Sequence, residues 1–233
     1  MGAALVACPA GAATLTYTSQ SRTVSATANV DTLDSHSLSA PSFGPFDASV
    51  SASAFSAITT RTNSASSEQH SRLYPQSVGM TGSVSAVDNV PNGFSGSASS
   101  SSSLSTAFTL DASSPYTFDL TTAITAPPAD TSYQYMLTGP SGTVFTGSGQ
   151  FVTPITPLSG TLFAGNYTLN LQFVANVGTP GVFTSAGTYN AVLGVPEPTT
   201  AAFAGVIGLA LRRRRRTGEW TLIHVPRAIR SRT

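Results

Sequence analysis

Apolar residues at every second position constrain this chain more than any other feature. The clearest run is Tyr167, Leu169, Leu171, Phe173, Ala175 and Val177, with Thr168, Asn170 and Gln172 set between them. Side chains of an extended strand point alternately to opposite faces, so this run predicts a strand with one buried and one solvated face. The pattern returns in Tyr116, Phe118, Leu120 and Ile124; in Leu104, Phe108 and Leu110; in Tyr133, Tyr135 and Leu137; and in Tyr189, Ala191, Leu193 and Val195. The N-terminal half carries it on smaller residues: Val24, Ala26, Ala28 and Val30, then Val50, Ala52, Ala54 and Ile58, then Val78, Met80, Val84 and Ala86. A helix needs apolar spacings of three and four, and no window before residue 199 has them.

Turn chemistry separates the runs. Asn92-Gly93 supplies a position of positive φ, and Gly139-Pro140-Ser141-Gly142 is a tight-turn sequence. The prolines of 126–130 and 154–165 mark loops that no central strand accepts. Roughly eight to ten strands result, enough for one antiparallel β-sandwich, jelly-roll or immunoglobulin-like, over residues 14–194. Two small sandwiches split near 99–103 are the alternative. The N-terminal half is too poor in large apolar residues to make its own core, which favours one domain. The Ser-rich stretch 95–105 is expected to be a long surface loop, or else a linker.

Composition supports an uncharged sheet protein. Charged residues are 9% of the chain, whereas Ser and Thr are about 28%. Such low charge excludes a coiled coil and argues against nucleic-acid binding by the body. All 11 basic residues are arginine, and they are unevenly placed. Residues 14–195 carry three arginines against eight acids, while residues 212–233 carry eight against Glu219 alone. A basic end on a mildly acidic body is a membrane-topology pattern. The single cysteine, Cys8, excludes an internal disulfide.

Residues 1–13, MGAALVACPAGAA, are small and apolar and contain Ala10-Gly11-Ala12, an A-x-A triplet. They are expected to be the later part of a secretory signal peptide, lacking its positively charged start. Leu5-Val6-Ala7-Cys8 is also similar to the lipobox of bacterial lipoproteins.

Catalytic constellations are sparse. His36 lies near Asp31 and Asp34 in a stretch expected to be irregular. His70 lies in 66–71, expected to be a solvated loop, and His224 is in the tail. No two histidines have metal-ligand spacing, no G-x-S-x-G elbow occurs, and Gly147-Ser148-Gly149 is expected to be a turn. Asp88, Asn89 and Asn92 form an oxygen-rich cluster, expected in a loop, whose spacing matches no EF-hand. Asn166-Tyr167-Thr168 is a formal glycosylation sequon that opens a strand. Paired acids for glycoside chemistry could come from distant positions, though Glu68 is the body's only glutamate. A glycan-binding module would want exposed aromatic platforms. Trp220 lies in the tail, and most tyrosines share a face with Leu and Phe. No catalytic, metal or cofactor site is predicted.

The C-terminal part is more informative. Val195 and Pro196-Glu197-Pro198 precede an apolar stretch, TTAAFAGVIGLAL, at 199–211, and then Arg212, Arg213, Arg214, Arg215 and Arg216. Proline is tolerated at the start of a helix, where its missing N–H leaves no bond unmade. The apolar stretch can enter a bilayer, and the arginines hold its far end in the cytoplasm. In order and spacing, residues 195–216 resemble the PEP-CTERM sorting signal of exported bacterial proteins. That resemblance implies export, a C-terminal transmembrane helix, and recognition of Pro196, Glu197 and Pro198 by an exosortase-type processing enzyme. It further implies release to the surface or into exopolysaccharide, with Arg212 to Arg216 as topology stop. Two features depart from the pattern. The apolar stretch, about 13 residues or ~20 Å as a helix, is short for a ~30 Å hydrocarbon core. A basic tail, 217–233, expected to be disordered, follows the arginine block.

The resulting expectation is an all-β antiparallel sandwich plus one C-terminal transmembrane helix. Its role would be non-enzymatic and structural, at the surface or in the matrix, with the membrane and the processing enzyme as partners. The runner-up is an extracellular glycan-binding module, and a secreted hydrolase comes third.

Overall fold

The structure is a computed structural model that describes residues 13–90, 95–126, 130–151, 155–178 and 181–196. It has two six-stranded antiparallel sheets, consistent with a β-sandwich. The strands are β1 (Leu15–Asn29), β2 (Leu33–Ser39), β3 (Phe46–Ser56), β4 (Arg61–Tyr74), β5 (Ser77–Val90), β6 (Ser97–Leu110), β7 (Ser114–Ala126), β8 (Thr131–Gly139), β9 (Gly142–Gln150), β10 (Leu158–Leu162), β11 (Gly165–Val177) and β12 (Gly181–Gly194). The first sheet runs β2-β1-β6-β11-β8-β9 and the second β10-β7-β12-β5-β4-β3. Among the described residues there is no helix; the one expected at 199–211 lies outside them.

The pairing from β5 onward is nested. β5 pairs with β12, β6 with β11, β7 with β10, and β8 with β9. An antiparallel ribbon is thus wound so that successive pairs fall in alternate sheets. The β1–β2 hairpin widens the first sheet, and the β3–β4 hairpin widens the second.

The alternation read from the sequence becomes the core. All six apolar residues of the Tyr167–Val177 run are buried, as are Tyr189, Ala191, Leu193 and Val195. Ile58 departs from its run: it lies in the β3–β4 turn, 74% exposed. Proline does keep 154–165 out of the sheet centre. Leu158–Leu162 nevertheless forms a short edge strand, paired only with β7.

The Ser-rich stretch is the main correction. It forms most of β6, a central strand paired along its length with β1 and β11. Residues 99–103 are therefore neither a loop, a linker nor a division between domains. Ser100 and Ser102 point inward, fully buried, beside Ala26 and Ala28 of the neighbouring β1 and opposite Ala65 and Ala86 of the second sheet. Small residues on both sides let the sheets approach. Ser67 Oγ donates directly to the Ser101 carbonyl of the opposing sheet at 2.8 Å. A serine side chain reaches that far only where the sheets lie closer than the usual ~10 Å. The other end of the core is aromatic, with Phe118 packed on Phe145 and Tyr135 at centroid distances of 4.8 and 5.1 Å.

Gly147 and Gly149 are likewise strand residues of β9, not a turn. A Cβ at Gly147 would lie 2.3 Å from the Tyr135 ring, and one at Gly149 2.8 Å from the Tyr133 hydroxyl. The glycines leave room for cross-strand tyrosines. The tight turn expected at 139–142 is present, with Gly142 at φ +105°.

Candidate functional site

Three surfaces of the sandwich carry chemistry. The first is the rim where the chain leaves the core. Val195 is fully buried and its N–H donates to the Gln76 carbonyl at 2.8 Å. Pro196 is exposed, and its carbonyl accepts the Ser114 hydroxyl at 3.1 Å. The Leu15 N–H donates to the Pro75 carbonyl at 2.7 Å, so the β4–β5 turn grips both ends of the described chain. Of the sorting residues, Pro196 stands at the first exposed position after the core. Glu197, Pro198 and Arg212 to Arg216 lie outside the described residues, as do residues 1–12 with Cys8, Asn92, Trp220 and His224.

The second surface is the outer face of the second sheet. His70 is not in a loop; it is an outward residue of β4, opposite Asp47 of β3. Its Nδ1 lies 2.8 Å from Asp47 Oδ1 and its Nε2 2.8 Å from Glu68 Oε1. Arg72 donates to both oxygens of Asp47, at 2.9 and 2.8 Å. The hydrogen bond from Asp47, reinforced by that from Glu68, raises the His70 pKa above its ordinary value. Arg72 first, then His70, lowers the Asp47 pKa. Both imidazole nitrogens are bonded to carboxylates, so neither is free to take a proton from a substrate. Beside the cluster is a shallow hollow of about 510 Å³, lined by Thr81, Thr121 and Asn190 among others.

The third surface is a groove of about 490 Å³ on the outer face of the first sheet. Ser21, Ser103, Gln134, Ser148, Asn170 and Gln172 line it with hydroxyls and amides, and Met136 adds an apolar surface. Among the described residues, none with an acidic or basic side chain borders it. Sequence reasoning missed this groove because its residues come from five strands. The available signal was the outward half of the alternation: Asn170 and Gln172 were identified as outward-facing, but their neighbours across the sheet were not.

The remaining candidates separate. His36 lies on β2, in an edge strand instead of an irregular stretch, 3.0 Å from Asp34. Asp34 also accepts the Ser53 N–H of β3 at 2.7 Å, capping an edge that would otherwise be open to pairing. Asp88 and Asn89 are consecutive on β5, not in a loop, so they face opposite ways. Asp88 is buried, with Oδ1 accepting the Val90 N–H at 2.9 Å and Oδ2 unpaired among the described residues. It is the one buried acid among those residues. Tyr116, Tyr135, Tyr167 and Tyr189 are buried, as their shared face with Leu and Phe implied.

No protein-family model matches this chain, and no curated protein matches it either.

Proposed function

We propose that this chain is an exported, non-enzymatic structural protein of the cell surface or exopolysaccharide matrix, processed through a PEP-CTERM-type C-terminal sorting signal. The observation that carries the proposal is the order of elements in 195–216: Pro196-Glu197-Pro198, an apolar stretch, then five arginines. The physics of the parts supports it. The apolar stretch partitions into the bilayer, and the arginines keep its end on the cytoplasmic side. The sandwich, with its acidic excess, then stands on the other side. The position of Pro196 supports it too. Among the described residues Val195 is the last buried one and Pro196 is exposed, so the motif begins where the packed strand ends.

The nested pairing of β5–β12 favours a jelly-roll over an immunoglobulin-like sandwich, with two hairpins added at its N-terminal side. The last described strand of this domain ends at the rim held by the β4–β5 turn, next to the start of the sorting segment.

The test is made in the native host. Fractionation and intact mass of the surface form are compared for the wild type and a variant with Arg212 to Arg216 changed to Glu. Surface delivery and C-terminal trimming of the wild type, both lost in the variant, support the proposal. Full-length wild-type protein in the cytosol, or delivery and trimming untouched in the variant, overturns it.

A further inference from the structure

We infer that the groove on the outer face of the first sheet binds a neutral polysaccharide lying across the strands. The inference goes beyond the sorting proposal and does not rest on it.

Charge is the first argument. Strands β6, β11, β8 and β9 contain no Asp, Glu, Lys, Arg or His. An anionic polymer would therefore find no counter-charge there and would lose hydration without compensation. Neutral hydroxyl-bearing ligands lose far less, and hydroxyls and amides can satisfy them in both donor and acceptor roles.

Spacing is the second. Register places Thr23, Ser103, Gln172, Gln134 and Ser148 in one row across five adjacent strands. Neighbouring strands are about 4.8 Å apart, a step comparable to the length of one sugar unit in an extended pyranose chain. Each strand can thus meet one sugar unit with one polar side chain. A chain running along a strand would instead meet outward side chains only every second residue.

Availability is the third. Among the described residues, Ser103, Ser148, Gln134 and Gln172 make no side-chain hydrogen bond with the rest of the chain. Gln134 and Gln172 are exposed, so their amides are free to turn towards a ligand. Met136, 38% exposed, supplies the apolar contact that the C–H face of a sugar needs. Tyr135, which lines the groove, is buried and offers no open platform, so affinity comes from many weak polar contacts and grows with chain length.

The experiment is affinity electrophoresis of the full chain through gels cast with dextran, galactomannan, xyloglucan or mixed-linkage β-glucan, and with alginate as the anionic polymer. We expect retardation by at least one neutral polymer. Gln134→Ala/Gln172→Ala should weaken it at least about ten-fold, or about 1.4 kcal/mol. Thr121→Ala/Asn190→Ala on the opposite sheet should leave it unchanged. Ser148→Asp, at an exposed position of the edge strand β9, is a second variant that should also weaken it, should the double variant unfold. The proposal is overturned if no neutral polymer retards the wild type, if alginate alone does, or if folded groove variants bind as well as wild type. It is also overturned if the groove substitutions change only self-association in size-exclusion chromatography.

Discussion

The ring of Tyr189, on β12 of the second sheet, lies flat against that of Phe173, on β11 of the first, with centroids 3.9 Å apart and planes 3° from parallel. The stack stands between the aromatic end of the core and its Ala/Ser end. Beyond it, the Tyr189 hydroxyl donates to the Glu68 carbonyl at 2.9 Å and meets Ser102 Oγ. One phenolic proton serves one acceptor, so Ser102 gives its own proton to Tyr189. Ser102 then accepts from the Gln69 amide at 3.1 Å, in the amide orientation that brings the same nitrogen within 3.2 Å of the Thr23 and Ser103 carbonyls. The network continues the sheet-to-sheet contact where side chains are too small for apolar packing to do so alone.

Tyr189→Phe keeps the stack and removes the hydroxyl. It leaves the buried Ser102 hydroxyl without an acceptor for its proton and should cost about 1–3 kcal/mol. Tyr189→Ala also opens a cavity and should cost about 3–5 kcal/mol. Urea denaturation should show the midpoint falling with an unchanged slope. Equal losses in the two variants would refute the role given to the hydroxyl.

Gly82 and Gly79 make a matched pair on β5. A Cβ at Gly82 would sit 2.0 Å from the Glu68 carbonyl oxygen and 2.6 Å from the Tyr189 hydroxyl, whereas at Gly79 nothing lies within 4 Å. Gly82→Ala should therefore destabilise by about 1–3 kcal/mol through overpacking. Gly79→Ala should be neutral or stabilising by up to about 1 kcal/mol, by restricting the unfolded chain. Thermal unfolding of both variants checks the contrast.

Arg22 is fully buried and, among the described residues, has no carboxylate partner. Its guanidinium is held by the Gln20 side chain at 3.0 Å, the Gly44 carbonyl at 2.8 Å and the Ser42 carbonyl, over the ring of Phe46. Burial lowers its pKa, and the charge of Arg72 acts in the same direction. These contacts fasten the crossover between β2 and β3. Arg22→Ala removes these bonds and empties a buried volume, and should cost about 3 kcal/mol. Arg22→Lys, whose compact ammonium lacks the planar fork, should recover only part of that. Stability of both variants, with limited proteolysis at 40–45, reads the result.

The His70 cluster should give a small pH dependence. The folded His70 pKa is raised, so its contribution is complete below the ordinary histidine value and is lost as pH rises through the raised value. The folded Asp47 pKa is lowered, so its contribution is present above the ordinary carboxylate value and is lost as pH falls through the lowered one. The cluster therefore contributes most between about pH 4 and 6.5. His70→Gln should lower the unfolding temperature most within that window and least above it. The side chains are about half exposed, which keeps the effect small. A difference that does not vary with pH would exclude the ion pairs as its cause.

Where large and small side chains alternate, the sequence by itself determined both strand and face: Tyr167 to Val177 and Tyr189 to Val195 carry their burial in their spelling. The Ser run of β6 does not. Serine is small enough and polar enough for either face, so Ser100 to Ser103 show no contrast from which to read an alternation. Only the tertiary neighbours, Ala26 on the adjoining strand and Ala86, Gln69 and Tyr189 on the opposing sheet, made Ser102 a buried residue. His70 and the groove follow the same rule. Their partners Asp47, Gln134 and Ser148 are distant in sequence and meet through strand register, a tertiary property. A local pattern can specify an amphipathic strand because the period is local; a polar site assembled across strands depends on which strands become neighbours, and sheet pairing settles that.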